Sequence, residues 1–575
     1  MSFLDLPYSL FWEIIAHLPA VDALVCRRLS TGARRTLTSP ELSLSLILLH
    51  FPRSREGRLL RDCIRNGAYS ELKQGHSLAP LFGRLTRRYY HLGNATPWRT
   101  REVQVLKDDN HLHAVHTWDR VLSRDGELDP FQAREPLWAF GTDEALLVYP
   151  SPDGQGFLAQ DLHSQLETRV PFDVSGKVIR RVRLNSGILI VEWCEEQPCE
   201  FLNSRVAVYR HYATAFDLTP VIGGCGSHDL TNGLGVPEKT QSFPWSITWR
   251  SEWKIHDLGI LQDRFFSAHN ATHYAVYIWQ SSGGLWGVND PRERLMIYEL
   301  GEITPEFDST GDKKPGPECP RLVQNWMNSE LSALGVRQRI SPKLRGIYLD
   351  AITWNSQTQS ACGHIFVHEE DHRNLEGPHR GVLRARHHHV KSTGIPLTLI
   401  GPKWVDECGC EVIGDSLLSL SRGGTLLPHQ AERIFDPPSW PGRAPCWRHR
   451  LYPWLTLSEV LDADAGIRIA ARHSLYNHRE PELQPVLFVQ GVDALHFRDI
   501  ETPGSSALDE KNGDAEEADQ KVNYTLGKKR DGRDGYEVQF SPYYWGRLMT
   551  KGAIYGDERW LMGEGENGTI TILQF

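Results

Sequence analysis

The C-terminal segment WLMGEGENGTITILQF (Trp560–Phe575) carries two strand-like stretches on either side of an Asn-Gly pair. In the second stretch, Ile570 and Ile572 fall on one face and the intervening threonines on the other, which is the period of a half-buried β-strand. Asn567 and Gly568 form the dipeptide favoured in the type I′ turn of a two-residue hairpin. The segment therefore predicts two antiparallel strands joined by a tight turn.

Similar short stretches recur from residue 101 to residue 575, separated by Gly, Pro and Asp. They are ALLVYP (145–150), SGILIVEW (186–193), THYAVYIW (272–279), RLMIYEL (294–300), HIFVHEE (364–370) and VLFVQ (486–490). Many short strands without helices between them predict a β-propeller or a propeller-like array. The 49 Gly, 34 Pro, 18 Trp and 18 Tyr agree with turns and aromatic-rich strands. No fixed repeat or Trp-Asp signature indicates the number of blades.

Irregular insertions interrupt the strand pattern at residues 308–320, 436–447 and 502–521. The last insertion is charged and poor in aromatic residues, a composition that buries too little apolar surface to fold. We therefore predict disorder over residues 502–535.

The N-terminal stretch LPYSLFWEIIAHLPAVDALV (Leu6–Val25) has the period of a helix instead. Pro7 suits a first helical turn, and an apolar stripe at helical spacing runs down to Leu18 before Pro19 ends the helix. Two further short helices follow, the second of them from Ser30 to Leu37. The three helices together are too small to cover their own apolar surface. Part of the stripe is therefore expected to meet a partner. The alternative is that it packs only on its own helices and on the following domain.

The same stretch, together with SPEL (Ser39–Leu42), resembles the F-box, which has a Leu-Pro start, an apolar helix, a second Leu-Pro and an acidic residue opening helix two. In that family the module docks on the Skp adaptor of a cullin-RING ubiquitin ligase. The resemblance implies that the adaptor binds at Leu6, Pro7, Leu10, Ile14, Ile15, Leu18, Pro19 and Leu24.

Further segments resemble filamentous-fungal F-box proteins, namely HFPRSREGR (50–58), SGILIVEWCE (186–195), VYRHYATAFDL (208–218) and the last twenty residues of the chain. The basic residues of the first segment and its continuation either pair with acidic groups or form a solvated helix face. They are Arg53, Arg55, Arg58 and Arg61.

We therefore predict an α+β multidomain protein, a small N-terminal three-helix F-box followed by a mainly-β propeller-like domain. The predicted divisions are an F-box helical domain at 1–48, a helical and basic connector at 49–100, and a β-propeller-like substrate-binding domain at 101–575. More than one structural unit is expected for a chain of 575 residues.

HEEDH (His368–His372) fits the H-E-x-x-H zinc motif, but its surroundings alternate like a strand, and no helix is predicted to place both imidazoles on one face. A metal site using His364, His368, His372 or Cys362 stays open as a minor alternative. The three consecutive histidines of RARHHHV (384–390) cannot all face one ion from a strand. We predict no resident metal and no cofactor.

Two other motifs give no chemistry. Cys408 and Cys410 lack the second cysteine pair of a zinc ribbon, so ordinary thiols are expected. GEGENG (563–568) matches G-x-G-x-x-G, but a hairpin rather than a helix follows it, so no helix N-terminus is available for a pyrophosphate.

The formal net charge of −9 gives no basic field that would indicate nucleic-acid binding. No basic region precedes an apolar core at the N-terminus, and LSLSLILLHF (42–51) is shorter than the roughly 20 residues that span a membrane. We expect an intracellular protein, cytoplasmic or nuclear, with no nucleic-acid or membrane partner.

The leading hypothesis is a non-catalytic substrate receptor that binds a Skp-type adaptor, and through it a cullin scaffold, by its N-terminal helices and an unknown protein target by its β-domain. The alternatives are an F-box-like interaction scaffold outside a ligase and a metal-dependent hydrolase that uses the His364, His368 and His372 region. The residues that bind the target are not predicted.

Overall fold

The structure is a computed structural model. It describes residues 7–67, 78–105, 112–115, 122–124, 127–129, 135–203, 206–221, 243–261, 263–280, 290–301, 320–339, 343–358, 360–374, 386–398, 404–412, 454–462, 464–474, 486–491, 537–565 and 568–575. Leu6, the insertion at 436–447 and the segment predicted to be disordered, 502–535, lie outside these residues.

Helices occupy the N-terminal part of the described chain. They are α1 Tyr8–His17, α2 Ala20–Cys26, α3 Thr31–Leu37, α4 Pro40–His50, α5 Arg55–Arg65 and α6 Leu78–Gly93. Local signals start several of them, because Ser30 caps α3 by accepting from the Ala33 N–H at 3.0 Å, and Ser54 caps α5 by accepting from the Gly57 N–H at 2.9 Å. The rest of the chain is mostly β, which confirms the predicted fold class.

Six four-stranded antiparallel sheets are present among the described residues. Sheet 1 contains β4 Ala139–Gly141, β5 Leu146–Pro150, β6 Phe157–Asp161 and β7 Glu167–Arg169. Sheet 2 contains β8 Lys177–Asn185, β9 Ile188–Glu195, β12 His211–Pro220 and β13 Trp245–Ile255. Sheet 3 contains β14 Arg264–His269, β15 His273–Gln280, β16 Arg292–Glu299 and β17 Arg321–Trp326.

The remaining three sheets follow the same plan. Sheet 4 contains β18 Leu344–Leu349, β21 His364–Asn374, β22 Arg386–Pro396 and β23 Trp404–Val412. Sheet 5 contains β24 Trp454–Asp462, β25 Ile467–Ser474, β26 Val486–Gly491 and β27 Glu537–Gln539. Sheet 6 contains β28 Ile554–Gly556, β29 Trp560–Glu564 and β30 Thr569–Gln574, and its outer strand is β1 Arg99–Gln104.

Smaller elements decorate these sheets. They are the strand pairs β2 Leu122–Arg124 with β3 Glu127–Asp129, β10 Glu200–Asn203 with β11 Val206–Val208 and β19 Trp354–Asn355 with β20 Ser360–Ala361, and the short helices α7 Asn328–Leu334 and α8 Trp545–Leu548.

Neighbouring sheets follow one another along the chain and are in contact. Within sheets 1 to 5 the strands follow one another in chain order, and the first strands of neighbouring sheets contact each other, β4 with β8, β8 with β14, β14 with β18 and β24 with β28. Sheet 6 joins the two ends of the β-domain, because β1 pairs with β30 from Arg99 opposite Gln574 to Gln104 opposite Thr569.

Hydrophobic clusters join five successive pairs of sheets, 5 with 6, 6 with 1, 1 with 2, 2 with 3 and 3 with 4. Central strands such as β9 and β15 are buried on both faces, which is why their sequences are nearly continuous apolar runs. Only a contact between sheet 4 and sheet 5 would close a ring. Residues 413–453, which separate these two sheets in the chain, lie outside the described part.

The predicted strands are present, including β5, β9, β15, β16, β21, β26, β29 and β30. At the turn between the last two, the Gly568 N–H donates to the Gly565 carbonyl at 3.1 Å, the Gly565 N–H donates to the Thr569 carbonyl at 2.9 Å, and Gly568 has φ 65°. Asn567, the first residue of the predicted type I′ turn, lies outside the described residues.

Helices α4 to α6 share a hydrophobic core with sheets 5 and 6. On the helical side the buried residues include Leu46, Ile47, Phe51, Leu60, Phe82, Leu85 and Tyr89, and on the sheet side Leu457, Ile467, Ile469, Leu561, Leu573 and Phe575. Residues 49–100, predicted as a helical and basic connector, contain α5 and α6, and both helices pack against the β-domain through this core.

Candidate functional site

Helix α1 has two apolar faces. Phe11 and Ile15, one turn apart, are buried at 4% and 0% exposure in the core shared with the other helices. Leu10 and Ile14, also one turn apart, are 50% and 43% exposed. The predicted stripe is therefore divided, and Ile15 supports the exposed face from inside rather than forming part of it.

The segment after α1 repeats this division. Leu24 packs against the core, whereas Val25 and Leu29 are 51% and 72% exposed. Pro7 and Pro19 are exposed, and Leu18 is half-buried against the core. We call Leu10, Ile14, Val25 and Leu29 the exposed apolar set. Large apolar side chains left in water at these positions indicate a surface on which a partner can bury them.

Three residues that matter here were not among the predicted site residues. Phe11 anchors α1, while Val25 and Leu29 add to the exposed apolar set. The spacing offered a signal for Phe11, because it lies four residues before Ile15 and must share its face of the helix. No sequence signal separates Leu24 from Val25, since the direction in which α2 faces is decided by helices that follow it.

Helix α2 is fixed to α6 by Arg27. Its Nη1 donates to the Ala79 carbonyl at 2.9 Å, and its guanidinium lies 5.1 Å from the centre of the Phe82 ring. Phe82 is itself fully buried. The exposed apolar set therefore stands on helices that are held by the deeper core.

A buried ionic cluster joins α5 and α6 to the turn before β29. Arg88 donates to both carboxylate oxygens of Glu56, at 2.7 and 2.9 Å, and to Oε1 of Glu558 at 3.3 Å. Tyr89 donates its hydroxyl to the other oxygen of Glu558, and the Arg55 N–H donates to Glu558 at 2.9 Å. We call Glu56, Arg88, Tyr89 and Glu558 the junction cluster.

The two carboxylates of the junction cluster differ in their pKa. Burial alone would raise the pKa of Glu56, but the two-pronged contact with Arg88 lowers it to about 2. Burial raises the pKa of Glu558 to about 7, since Arg88 compensates it less and the nearby charge of Glu56 adds to the effect. Burial also raises the pKa of Tyr89, so its phenol stays protonated and donates to Glu558.

Basic residues of the 50–61 segment contact the β-domain as well. Arg55 donates to the Asp143 carbonyl at 2.9 Å, and Arg53 donates to the Asp464 carbonyl at 3.1 Å. Arg58 lies 3.6 Å from the Asp464 carboxylate, whereas Arg61 donates within its own segment to the Pro52 carbonyl at 2.6 Å. Arg55 also lies 3.6 Å from the Asp143 carboxylate, so pairing with acidic groups, one of the two predicted roles, is observed for Arg55 and Arg58.

The motifs for metal chemistry lie on strands. His364 and His368 belong to β21, where Nδ1 of His364 is 3.3 Å from Oδ2 of Asp350 and His368 is almost fully buried. The side chains of His372, of the three histidines at 387–389 and of Cys408 and Cys410 lie outside the described part. Among the residues that the structure describes, no group of three or more His, Cys, Asp or Glu is placed to hold a metal ion.

GEGENG lies at the β29–β30 connection, which leads into a strand. No helix is long and apolar enough to cross a membrane in the part of the chain that the structure describes.

Comparison with known proteins identifies the N-terminal helices. Residues 3–45 match the F-box domain. No protein of curated function matches the chain. Among solved structures, the WD40 domain of SCAP from fission yeast is similar at 9% identity and a TM-score of 0.25, over 83% of this chain and 98% of that one. Hydrazine synthase of Kuenenia stuttgartiensis is similar at 11% identity and a TM-score of 0.20, over 58% of this chain and 92% of that one. These scores support no conclusion about the β-domain, whose architecture rests on its strand order and packing.

Proposed function

We propose that this protein is the substrate-recognition subunit of a Skp-cullin-F-box ubiquitin ligase. One observation carries the proposal: the helices that match the F-box domain expose Leu10, Ile14, Val25 and Leu29 while their other face is buried in the protein's own core. An F-box domain is typical of ubiquitin ligase adaptors, and the exposed apolar set is where the Skp-type adaptor would bind.

The energy available from these side chains suits a specific complex. Fully burying one Leu, Ile or Val side chain contributes about 1.5–3 kcal/mol. Leu10, Ile14 and Val25 are each about half exposed and Leu29 is more so, and together these four residues leave several kcal/mol to be gained on docking, part of which the ordering of the complex offsets.

The β-domain, which contains six four-stranded sheets among the described residues, is the proposed receptor for the target. Its sheets pack against one another through shared hydrophobic clusters, and a scaffold of this kind carries loops that can bind a partner.

No covalent chemistry by this chain is needed in the proposed role. A target held by the β-domain meets the ubiquitin-charged conjugating enzyme at a raised effective concentration. The shared core of α4 to α6 with sheets 5 and 6, together with the junction cluster, fixes the target-binding domain relative to the adaptor-binding helices. The proposal implies an intracellular protein without a resident cofactor.

The test is the double variant Leu10→Asp with Ile14→Asp. Two carboxylates placed in an apolar contact must be desolvated without partners, so the affinity for a Skp-type adaptor should fall by at least about a hundredfold. The matched control is Ser9→Asp, which adds a charge at an exposed position of the same helix. Adaptor affinity is measured by calorimetry and thermal unfolding by circular dichroism.

The ligase role fails if the double variant binds the adaptor as the wild type does. A wild-type pulldown that recovers the adaptor without a cullin would instead support an interaction scaffold outside a ligase. Loss of both adaptor affinity and thermal stability in the double variant would mean that the exposed apolar set belongs to the internal core.

A further inference from the structure

A cavity of about 260 Å³ lies where sheet 3 meets sheet 4. The ends of β15, β16 and β17 form one side, and the small β19–β20 hairpin forms the other. We call it the inter-sheet pocket, and its lining is His273, Glu299, Arg321, Val323, Gln324, Trp354, Ser360, Ala361, Leu397 and Thr398.

The β19–β20 hairpin is an insertion between the first two strands of sheet 4, and buried hydrogen bonds anchor it. Asn270, in the β14–β15 turn, donates to the Asp350 carbonyl at 2.9 Å and to Oγ1 of Thr353 at 2.7 Å. Nδ1 of His273 lies 2.8 Å from the same Thr353 hydroxyl. Asn270, His273 and Thr353 are all almost fully buried. The pocket is therefore held open by a satisfied polar network rather than by a loose loop.

The charge of the lining argues for a neutral occupant. Glu299 and Arg321 form an ion pair at 2.6 Å, so the rim has a positive and a negative group side by side. A cation entering the pocket would meet Arg321, and an anion would meet Glu299. Burial lowers the pKa of His273, with Glu299 opposing the effect, and the imidazole at the floor is consequently neutral at pH 7.

The size and the walls of the inter-sheet pocket narrow the class of possible occupants further. A volume of about 260 Å³ is below the roughly 300–1,000 Å³ of pockets that hold drug-sized ligands, and it suits one large side chain. Val323, Ala361 and Leu397 supply apolar walls, and Trp354 supplies an aromatic ring for stacking. Since Nδ1 of His273 is engaged by Thr353, Nε2 is the ring nitrogen that remains for an occupant, and no described residue bonds it.

We propose that the inter-sheet pocket binds the side chain of a tyrosine presented by a target protein. The ring packs between Trp354 and the aliphatic walls, and the phenolic hydroxyl hydrogen-bonds the neutral imidazole of His273. The assignment rests on the proposed receptor function, which it deepens by naming the chemistry that the β-domain recognises.

The experiment uses the full chain and four small probes followed by saturation-transfer NMR titration: N-acetyl-tyrosinamide, N-acetyl-phenylalaninamide, N-acetyl-argininamide and N-acetyl-phosphotyrosinamide. For a probe of this size the expected dissociation constant with tyrosinamide is on the order of 1 mM. The phenylalanine probe should bind about fivefold more weakly than the tyrosine probe because it lacks one hydrogen bond. The two charged probes should not compete with tyrosinamide.

Two variants locate the binding. Trp354→Ala should weaken the tyrosine probe about tenfold by removing an aromatic wall. Ala361→Leu should abolish binding by filling the cavity, without removing any polar contact of the network. The matched control is Trp249→Ala, which removes an exposed tryptophan of β13 in sheet 2. Thermal unfolding of each variant shows that it is folded.

The proposal is overturned if either charged probe binds more tightly than tyrosinamide, or if folded Ala361→Leu binds tyrosinamide as the wild type does. Adaptor binding is measured in the same samples. Normal adaptor binding with no tyrosinamide binding removes only the pocket assignment. Tyrosinamide binding without adaptor binding removes only the ligase role.

Discussion

Replacing Arg88 with Met tests whether the junction cluster holds the helices on the β-domain. Arg88 is the one described cation in direct hydrogen-bond contact with both Glu56 and Glu558, at 2.7–3.3 Å, and all three side chains are largely buried. Removing it leaves two carboxylates buried side by side. Loss of one partner from a buried ion pair typically costs about 3–5 kcal/mol, because the remaining charge is left uncompensated. We expect the free energy of unfolding to fall by about that amount.

The assay is chemical denaturation followed by tryptophan fluorescence and circular dichroism at pH 8, which is above the pKa of both carboxylates in the wild type. Arg65→Ala is the control, since Arg65 is an exposed arginine of α5 whose pair with Asp62 lies at the surface, where such pairs contribute about 0–1 kcal/mol. A triple variant, Arg88→Met with Glu56→Gln and Glu558→Gln, removes the charges together and should recover at least half of the loss. If Arg88→Met costs no more than Arg65→Ala, or if the triple variant recovers nothing, the cluster does not stabilise this junction electrostatically.

The remaining predictions concern the same junction and the sheet beside it. Glu558 has its pKa raised to about 7 in the folded protein, so its contribution to stability is present below about pH 4.5 and is lost as the pH rises through 7. Measured from pH 5 to 8, the free energy of unfolding of the wild type should fall relative to that of Glu558→Gln. Parallel pH curves for the two proteins would contradict the raised pKa. A chain of residues 99–575 should unfold at lower denaturant concentration than the full chain and bind a hydrophobic dye, because α4 to α6 cover apolar residues of sheets 5 and 6. Equal denaturation midpoints for the two chains would show that the β-domain does not need these helices for its stability. Gly563→Ala should destabilise by about 1–3 kcal/mol, since a Cβ there would lie 2.1 Å from the Leu548 carbonyl oxygen, whereas Gly546→Ala, with open space around it, should not.

The strands could be predicted because the residue pattern that forms a strand lies within the strand's own segment of sequence. β15 is a nearly continuous apolar run and β30 begins with alternating Thr and Ile, and both are local signals of a strand; Gly568 marks the turn before β30. The pairing of β1 with β30 was not predictable, because Arg99 meets Gln574 across nearly the whole chain and neither residue signals the other. The same holds for the junction cluster, where Arg88 and Glu558 are 470 positions apart. Contacts of this kind depend on how the sheets are arranged, which no short segment encodes.

The inter-sheet pocket was missed for a related reason. Its lining comes from five strands of two sheets and the residues after a sixth, and none of those segments contains a recognisable motif. Conversely, HEEDH has the letters of a zinc motif but lies on a strand, where consecutive side chains point to opposite faces. A sequence motif predicts a site only when the backbone places its side chains at the distances that the chemistry requires.

The two hypotheses for the N-terminal stripe, partner surface and internal core, correspond to two faces of one helix, of which the buried face is observed and the partner role of the exposed face stays a prediction. Successive residues of a helix are 100° apart, so Ile14 and Ile15 cannot occupy the same face, and the structure buries Ile15 with Phe11 while leaving Ile14 with Leu10 in water. A helix needs only one buried face to be held in place. The second apolar face is about half exposed and contributes less to the stability of this chain than the buried face does, and exposed Leu and Ile favour association. Binding a partner is the role that we propose for it, and on that proposal the two aspartate substitutions are expected to affect adaptor affinity but not folding.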